Sequence, residues 1–170
     1  ASGTKIIEHP DIRRMLMTMR AQTEAMRSVA YVTSAAMDNA HRHPDAEARK
    51  RHQAFVELMI PVVKGWSTEN AIDVASTGIQ VHGGTGYIEE TGAAQYLRDA
   101  RITAIYEGTN GIQALDLLAR KLGQNGGRPI IDLGDEIRRT VAAAAEVERT
   151  APMAGKMEEA LLRFEEVARH

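Results

Sequence analysis

The stretch AFVELMIPVVKGWSTENAIDVASTGIQ, residues 54–80, carries the pattern that decides the fold. Its large apolar residues recur three or four positions apart, which places them on one face of an α-helix. They begin with Phe55, Leu58, Met59, Val62, Val63 and Trp66. Pro61 stands inside the pattern. Because its ring removes a backbone donor and clashes with the preceding turn, we expect a kink or an interruption there.

A second helical pattern precedes this stretch. Apolar or small residues follow the 3.6-residue period from Asp11 to about Asn39. Asp11 follows a proline and is the expected N-cap of this helix. The segment HRHPDAE then breaks the pattern, and Asp45 is placed to cap the helix that contains residues 54–80.

Shorter helices are predicted after residue 80. The cluster GGTGY, residues 83–87, is the strongest helix breaker in the chain. A helix should run from about Thr91 to Ile102, and another should begin near Thr109. The glycine-rich segment GQNGGRP, residues 123–129, predicts a linker, and two amphipathic helices follow it.

No segment alternates apolar and polar residues convincingly enough to predict a sheet. The predicted fold is therefore all-α: an up-and-down four-helix bundle with additional C-terminal helices. We expect the bundle to occupy residues 1–124 and the C-terminal helical extension to occupy residues 125–170.

The composition excludes several classes of protein. The 170 residues have a net charge of −2 with basic residues spread along the chain, which gives no electrostatic footprint for nucleic acid or an anionic membrane. Cysteine is absent, which excludes disulfides and thiolate metal sites. No histidine pair has the spacing of a helical metal site, so no metal is expected. A cytoplasmic protein is the default expectation.

The glycine cluster within IQVHGGTGYIEE allows two interpretations. Glycine adopts left-handed conformations at low cost, so the cluster can be a simple helix C-cap and turn. It can also let backbone N–H groups approach a phosphate or a ring closely. Spacing alone favours the turn. The cluster is not a dinucleotide fingerprint, because no strand precedes it.

Glu107, in the stretch IYEGTNGIQ, also has two interpretations. As a carboxylate near the start of the next helix, it can stabilise the helix N-terminus. As a functional group it would need an apolar setting that favours proton uptake. The neighbouring Ile105 and Tyr106 allow such a setting without establishing it.

Three motifs occur in a fixed order: IQVHGGTGY at 79–87, AAQYLRDARI at 93–102 and IYEGTNGIQ at 105–113. This ordered set resembles the C-terminal domain of the acyl-CoA dehydrogenases. Each motif alone is weak, whereas their order and spacing from about Gln80 to Leu122 are highly specific. The preceding helices also resemble the first two helices of that domain.

The resemblance implies roles for individual residues. It places Gln80, Gly83 and Gly84 against the ADP part of an FAD that belongs to a neighbouring subunit. Glu107 matches the position of the catalytic base, and Thr109 matches a position that contacts the flavin. The chain departs from the pattern at Gly111, where many members have Gln, so a cofactor contact by that side chain is not expected here.

The resemblance also implies a reaction and partners. Glu107 would take the proton alpha to the carbonyl of an acyl-CoA thioester while hydride leaves the beta carbon for the flavin. The family forms homo-oligomers and passes electrons to an electron-transferring flavoprotein. Neither a nucleic acid nor a membrane is an expected partner.

The N-terminal helical and β-sheet domains of the family do not precede the bundle in this sequence, so we interpret the chain as an excised C-terminal domain that is inactive alone. The last residues resemble the subgroup with an extra C-terminal helical region, which includes 3-methylmercaptopropionyl-CoA dehydrogenase. An alternative is a non-enzymatic helical module, derived from the family, for oligomerisation or interaction. A DNA-repair-associated relative is disfavoured because the extension mixes charges and leans acidic.

Overall fold

A computed structural model describes residues 3–168, and within this range the chain is helical and contains no strand. The all-α class expected from the sequence is confirmed. The α-helices are α1 (Pro10–Arg42), α2 (Ala46–His82), α3 (Gly84–Tyr87), α4 (Ala93–Thr103), α5 (Asn110–Asp116), α6 (Arg128–Ala145) and α7 (Ala151–Ala168). Shorter 3₁₀ segments are Ile6–Glu8, Glu89–Thr91 and Gln124–Gly127, and Leu117–Lys121 is a π-helical segment.

The N-termini of α1 and α2 are determined by different residues. His9 is the N-cap of α1, and Pro10 occupies the first helical position, where its fixed φ suits the helix. The prediction of Asp11 as N-cap is therefore wrong, since Asp11 lies in the first turn. The prediction for Asp45 is confirmed, because its Oδ1 accepts a hydrogen bond of 3.0 Å from the Glu47 amide. This bond lowers the pKa of Asp45 by stabilising the carboxylate.

Helix α2 continues through Pro61, so the expected interruption does not occur. The proline ring is buried, as are the nearby Val56 and Leu58. Leu58 is only 2% exposed. Burial of these side chains offsets the loss of one intrahelical hydrogen bond, which is how packing overrides a local preference.

Helix α2 is the central element of the first compact unit, which ends at Asp116. It packs against α1, α3, α4 and α5. The described core of this unit consists of Met15, Ala36, Ala48, Val56, Leu58 and Ala104, with the hydroxyl of Thr33 donating to the Val29 carbonyl. Three of these six apolar residues are alanines, so the described core of this unit buries few large side chains.

The second compact unit begins at Leu117 and contains α6 and α7, which form a helical hairpin. Ala154 and Leu161 on α7 are buried, and Arg138 on α6 forms ion pairs with Asp135 and Glu165. The two amphipathic helices expected after the linker are present. The boundary expected at residue 124, between the bundle and the C-terminal extension, stays a prediction.

Within residues 3–168, no helix combines the length and the apolar character that are needed to span a bilayer.

Candidate functional site

The loop that carries Glu107 joins α4 to α5 and is closed by backbone hydrogen bonds. Ala104, at its start, is buried, and its carbonyl accepts a hydrogen bond of 3.2 Å from the Asn110 amide. The Tyr106 amide donates to the Ile102 carbonyl at 3.3 Å. These bonds bring the last turn of α4 next to the first residue of α5, so the residues between them form a short, exposed projection.

Glu107 has an unusual backbone conformation in this loop. Its φ is 50°, and the following Gly108 has a φ of 81°. The left-handed region costs an ordinary L-residue about 1–2 kcal/mol, whereas glycine adopts it freely. A glutamate held there is a strained position, and such positions concentrate at functional sites. The side chain of Glu107 is exposed.

Thr109 makes the side-chain cap of α5. Its Oγ1 accepts a hydrogen bond of 3.4 Å from the Ile112 amide, which lies three residues later in the first turn. Because Thr109 occupies the N-cap position, Glu107 does not need to cap this helix. Ile105 and Tyr106 are 48% and 49% exposed, so the carboxylate projects beside a partly apolar surface.

Asn110 connects this loop to the middle of α2. Its Oδ1 lies 2.9 Å from Lys64 Nζ and 3.0 Å from Thr68 Oγ1. Its Nδ2 donates to Glu69 Oε1 at 2.8 Å and to the Gly65 carbonyl at 3.3 Å. Nδ2 also lies 2.9 Å from Thr68 Oγ1. A single amide thus contacts four residues of α2 that precede it by more than forty positions.

The glycine cluster is a tight turn that ends α2. Gly83 has φ 64° and ψ −149°, a combination that is essentially restricted to glycine. Gly86 is buried, and a Cβ atom built there would clash with the Ile79 carbonyl oxygen. No atom of residues 3–168 lies within 4 Å of a Cβ built at Gly83 or Gly84. Gln80, one turn before Gly84, is exposed.

The predicted site residues form two separate groups in this chain. Gln80, Gly83 and Gly84 lie at the C-terminal end of α2, whereas Glu107 and Thr109 lie in the loop that Asn110 fixes beside Gly65. The distance along α2 from Gly65 to Gly83 is about 27 Å at 1.5 Å per residue. One copy of this chain therefore does not bring the two groups together.

Sequence reasoning overlooked Asn110 and its partners on α2. A usable signal existed, because Lys64 and Thr68 are polar residues that interrupt an apolar helical pattern. Asn110 lies directly after the threonine that caps α5. Neither signal indicates on its own that the two segments contact each other.

The first compact unit therefore carries an exposed glutamate with positive φ in the loop between α4 and α5, and a glycine turn at the end of its longest helix, α2. The family described as "Acyl-CoA dehydrogenase, C-terminal domain" matches residues 1–122. The chain belongs to this family.

Similarity to individual proteins agrees with this assignment. The chain is 56% identical to 3-methylmercaptopropionyl-CoA dehydrogenase of Ruegeria pomeroyi over 123 residues, which cover 72% of the chain and 21% of the relative. It is 35% identical to the broad-specificity linear acyl-CoA dehydrogenase FadE5 of Mycobacterium tuberculosis over 146 residues, covering 85% of the chain and 24% of the relative.

A more distant relative is the caffeyl-CoA reductase-Etf complex subunit CarC of Acetobacterium woodii. It is 28% identical over 113 residues, which cover 66% of the chain and 26% of the relative. The chain therefore spans about a fifth to a quarter of the length of these curated relatives.

Proposed function

We propose that this chain acts as the C-terminal domain of an FAD-dependent acyl-CoA dehydrogenase and that Glu107 is its catalytic base. The observation that carries the proposal is the conformation of Glu107: a left-handed, exposed glutamate in the middle of a loop that is closed at Ala104 and Asn110. Its carboxylate is free to face a substrate, because Thr109 makes the cap of α5.

The residues assigned to the cofactor fit that role. Gln80 presents an exposed amide, and the backbone at Gly83 and Gly84 is open, because no atom of the described residues lies within 4 Å of a Cβ built there. These three residues would contact the ADP part of FAD, and Thr109 would contact the flavin. Since the first group lies at the C-terminal end of α2 and the second lies in the loop beside Gly65, about 27 Å back along the helix, they would serve two different FAD molecules in an assembly of several copies.

Glu107 would remove the proton alpha to the thioester carbonyl. This hydrogen is only weakly acidic, so the base must be in contact with it, and the resulting enolate charge must be stabilised by hydrogen bonds to the carbonyl oxygen. FAD, when bound, supplies the acceptor for the hydride that leaves the beta carbon. Ile105 and Tyr106 would help to exclude water from the carboxylate, which favours the neutral acid that forms.

The proposed partners follow from the family. The substrate is an acyl-CoA thioester, and electrons pass to an electron-transferring flavoprotein, a proposal supported by the name of the Etf-complex relative. Exposed apolar side chains on α1, among them Met17, Tyr31 and Val32, support a homo-oligomer. A cytoplasmic location stays a prediction.

The test is Glu107→Gln in an FAD-loaded acyl-CoA dehydrogenase assembled with this chain as its C-terminal domain. The change keeps the shape of the side chain and removes the basic oxygen. Acyl-CoA should still bind, while anaerobic flavin reduction, measured by stopped flow, should slow by about 10²–10⁴-fold or more. Near-normal reduction would show that Glu107 is not the base.

Glu90→Gln is the matched control for this experiment. Glu90 is also an exposed glutamate and precedes α4, but it lies outside the α4–α5 loop. It is a better control than Glu89, which pairs with Arg98 at 3.1 Å. The Glu90→Gln protein should reduce its flavin at the normal rate, and a matching loss in both variants would indicate a non-specific effect of charge.

A further inference from the structure

We infer that Asn110 is a positioning residue for the base: it fixes the α4–α5 loop on α2 so that Glu107 keeps its left-handed conformation. The inference rests on the proposed function of Glu107. If it is correct, the reaction depends on Asn110 and on its partners Lys64 and Glu69, although none of the three touches the reacting atoms.

The amide of Asn110 can be held in only one orientation by its neighbours. Its oxygen faces the Lys64 ammonium at 2.9 Å, and its nitrogen donates to the Glu69 carboxylate at 2.8 Å. A positive group selects the oxygen and a negative group selects the nitrogen, and hydrogen bonds to charged groups are the stronger ones. The charges on α2 therefore determine which way the side chain lies.

The backbone of Asn110 also holds the loop in place. Its amide donates to the Ala104 carbonyl at 3.2 Å, which closes the six residues from Ala104 to Thr109. Gln113, in the next turn of α5, donates from Nε2 to the Gly108 carbonyl at 3.2 Å. A Cβ built at Gly65 would lie 3.7 Å from the Gln113 Cβ, so α5 packs closely on α2 at this point.

These contacts explain how Glu107 can occupy an unfavourable backbone region. Glu107 and Gly108 are consecutive residues with positive φ, and a free loop would relax at the glutamate. With the loop held at both ends, that relaxation would break several hydrogen bonds together. A catalytic group displaced by about 1 Å can lose about 10²-fold in rate, so the position of the loop matters for the reaction.

The first experiment uses the 170-residue chain and measures amide hydrogen exchange by NMR. In Asn110→Ala, the Tyr106 and residue-110 amides should exchange about tenfold faster or more, because the loop opens more often. Asn70→Ala is the matched control, since Asn70 also loses a side-chain bond, to the Trp66 carbonyl, but lies within α2. Equal exchange in Asn110→Ala and the control would overturn the inference.

The second experiment measures flavin reduction in the assembled enzyme. Asn110→Ala should lower the limiting rate by about 10–10²-fold with little change in the affinity for acyl-CoA. Asn110→Asp should also be slow, because it places a carboxylate against Glu69. Adding Glu69→Gln should restore part of the rate, because the new amide can donate to the introduced carboxylate while Lys64 keeps its partner, whereas that carboxylate still faces the Gly65 carbonyl. Failure of this rescue would count against the inference.

The two proposals fail in distinguishable ways. If Glu107→Gln reduces flavin normally, the proposed function fails, whatever Asn110 does. If Glu107→Gln abolishes reduction while Asn110→Ala reduces flavin normally and leaves loop exchange unchanged, the base is correct and the positioning role is overturned.

Discussion

Gly86 has the least room of the glycines in the turn after α2. A methyl group there would meet the Ile79 carbonyl at 2.4 Å and the His82 Cβ at 2.8 Å, so backbone must shift to admit it. A Cβ built at Gly84, two residues earlier, has no atom of the described residues within 4 Å. The sequence shows only a cluster of glycines, whereas the structure gives its members different physical requirements.

We predict that Gly86→Ala lowers the free energy of unfolding by about 1–3 kcal/mol, as overpacking typically does. Gly84→Ala should change it by no more than about 0.5 kcal/mol, since the added methyl group meets no atom. Urea denaturation followed by circular dichroism measures both. Equal stability of the two variants would contradict the geometry of the turn.

At the scale of secondary-structure elements, the stability of the start of α2 depends on pH through the carboxylate of Asp45. The Glu47 amide donates to its carboxylate and lowers its pKa, so ionised Asp45 stabilises the folded state. Because the pKa is lower in the folded state, this contribution is fully present above the unfolded value of about 3.9. It is lost as the pH falls through the lowered folded value.

Asp45→Ala should therefore reduce the melting temperature at neutral pH, and the difference from wild type should shrink in acid below about pH 3.9. Asp45→Asn is the control, because asparagine also caps helices but does not titrate in this range. A difference between wild type and Asp45→Ala that stays constant down to strongly acidic pH would rule out the charged cap.

The helices were more predictable than their contacts, for a physical reason. The 3.6-residue period and the Asp45 cap are local features, so the sequence predicts α1 and α2 closely. The continuity of α2 through Pro61 depends on burial, which a local rule does not contain. The bonds from Asn110 to α2 join residues more than forty positions apart, and no local pattern encodes such a pairing.

At the scale of the whole molecule, apolar side chains remain exposed in both compact units. Tyr31 and Val32 on α1 are 70% and 58% exposed, and Met153 and Val167 on α7 are 58% and 75% exposed. Exposed apolar residues that cluster into a patch with a polar rim mark sites of contact with other chains. The predicted homo-oligomer would cover part of this surface.

We therefore predict that the chain self-associates as its concentration rises. Sedimentation velocity should show a shift from the monomer to a larger species. High salt should preserve the association, because apolar burial is not screened as exposed charge pairs are. A single monomeric boundary at every concentration, in low and in high salt, would contradict the prediction.

The length of α2 has a consequence for how this segment can change during evolution. Gly65, beside the Glu107 loop, and Gly83, in the terminal turn, are eighteen positions apart along the chain. This is five whole turns at about 3.6 residues per turn, so both points lie in phase on one side of the helix. Inserting one residue between them would rotate one end by about 100° relative to the other. Substitutions here are tolerable wherever packing allows, but insertions and deletions would put the two ends out of register.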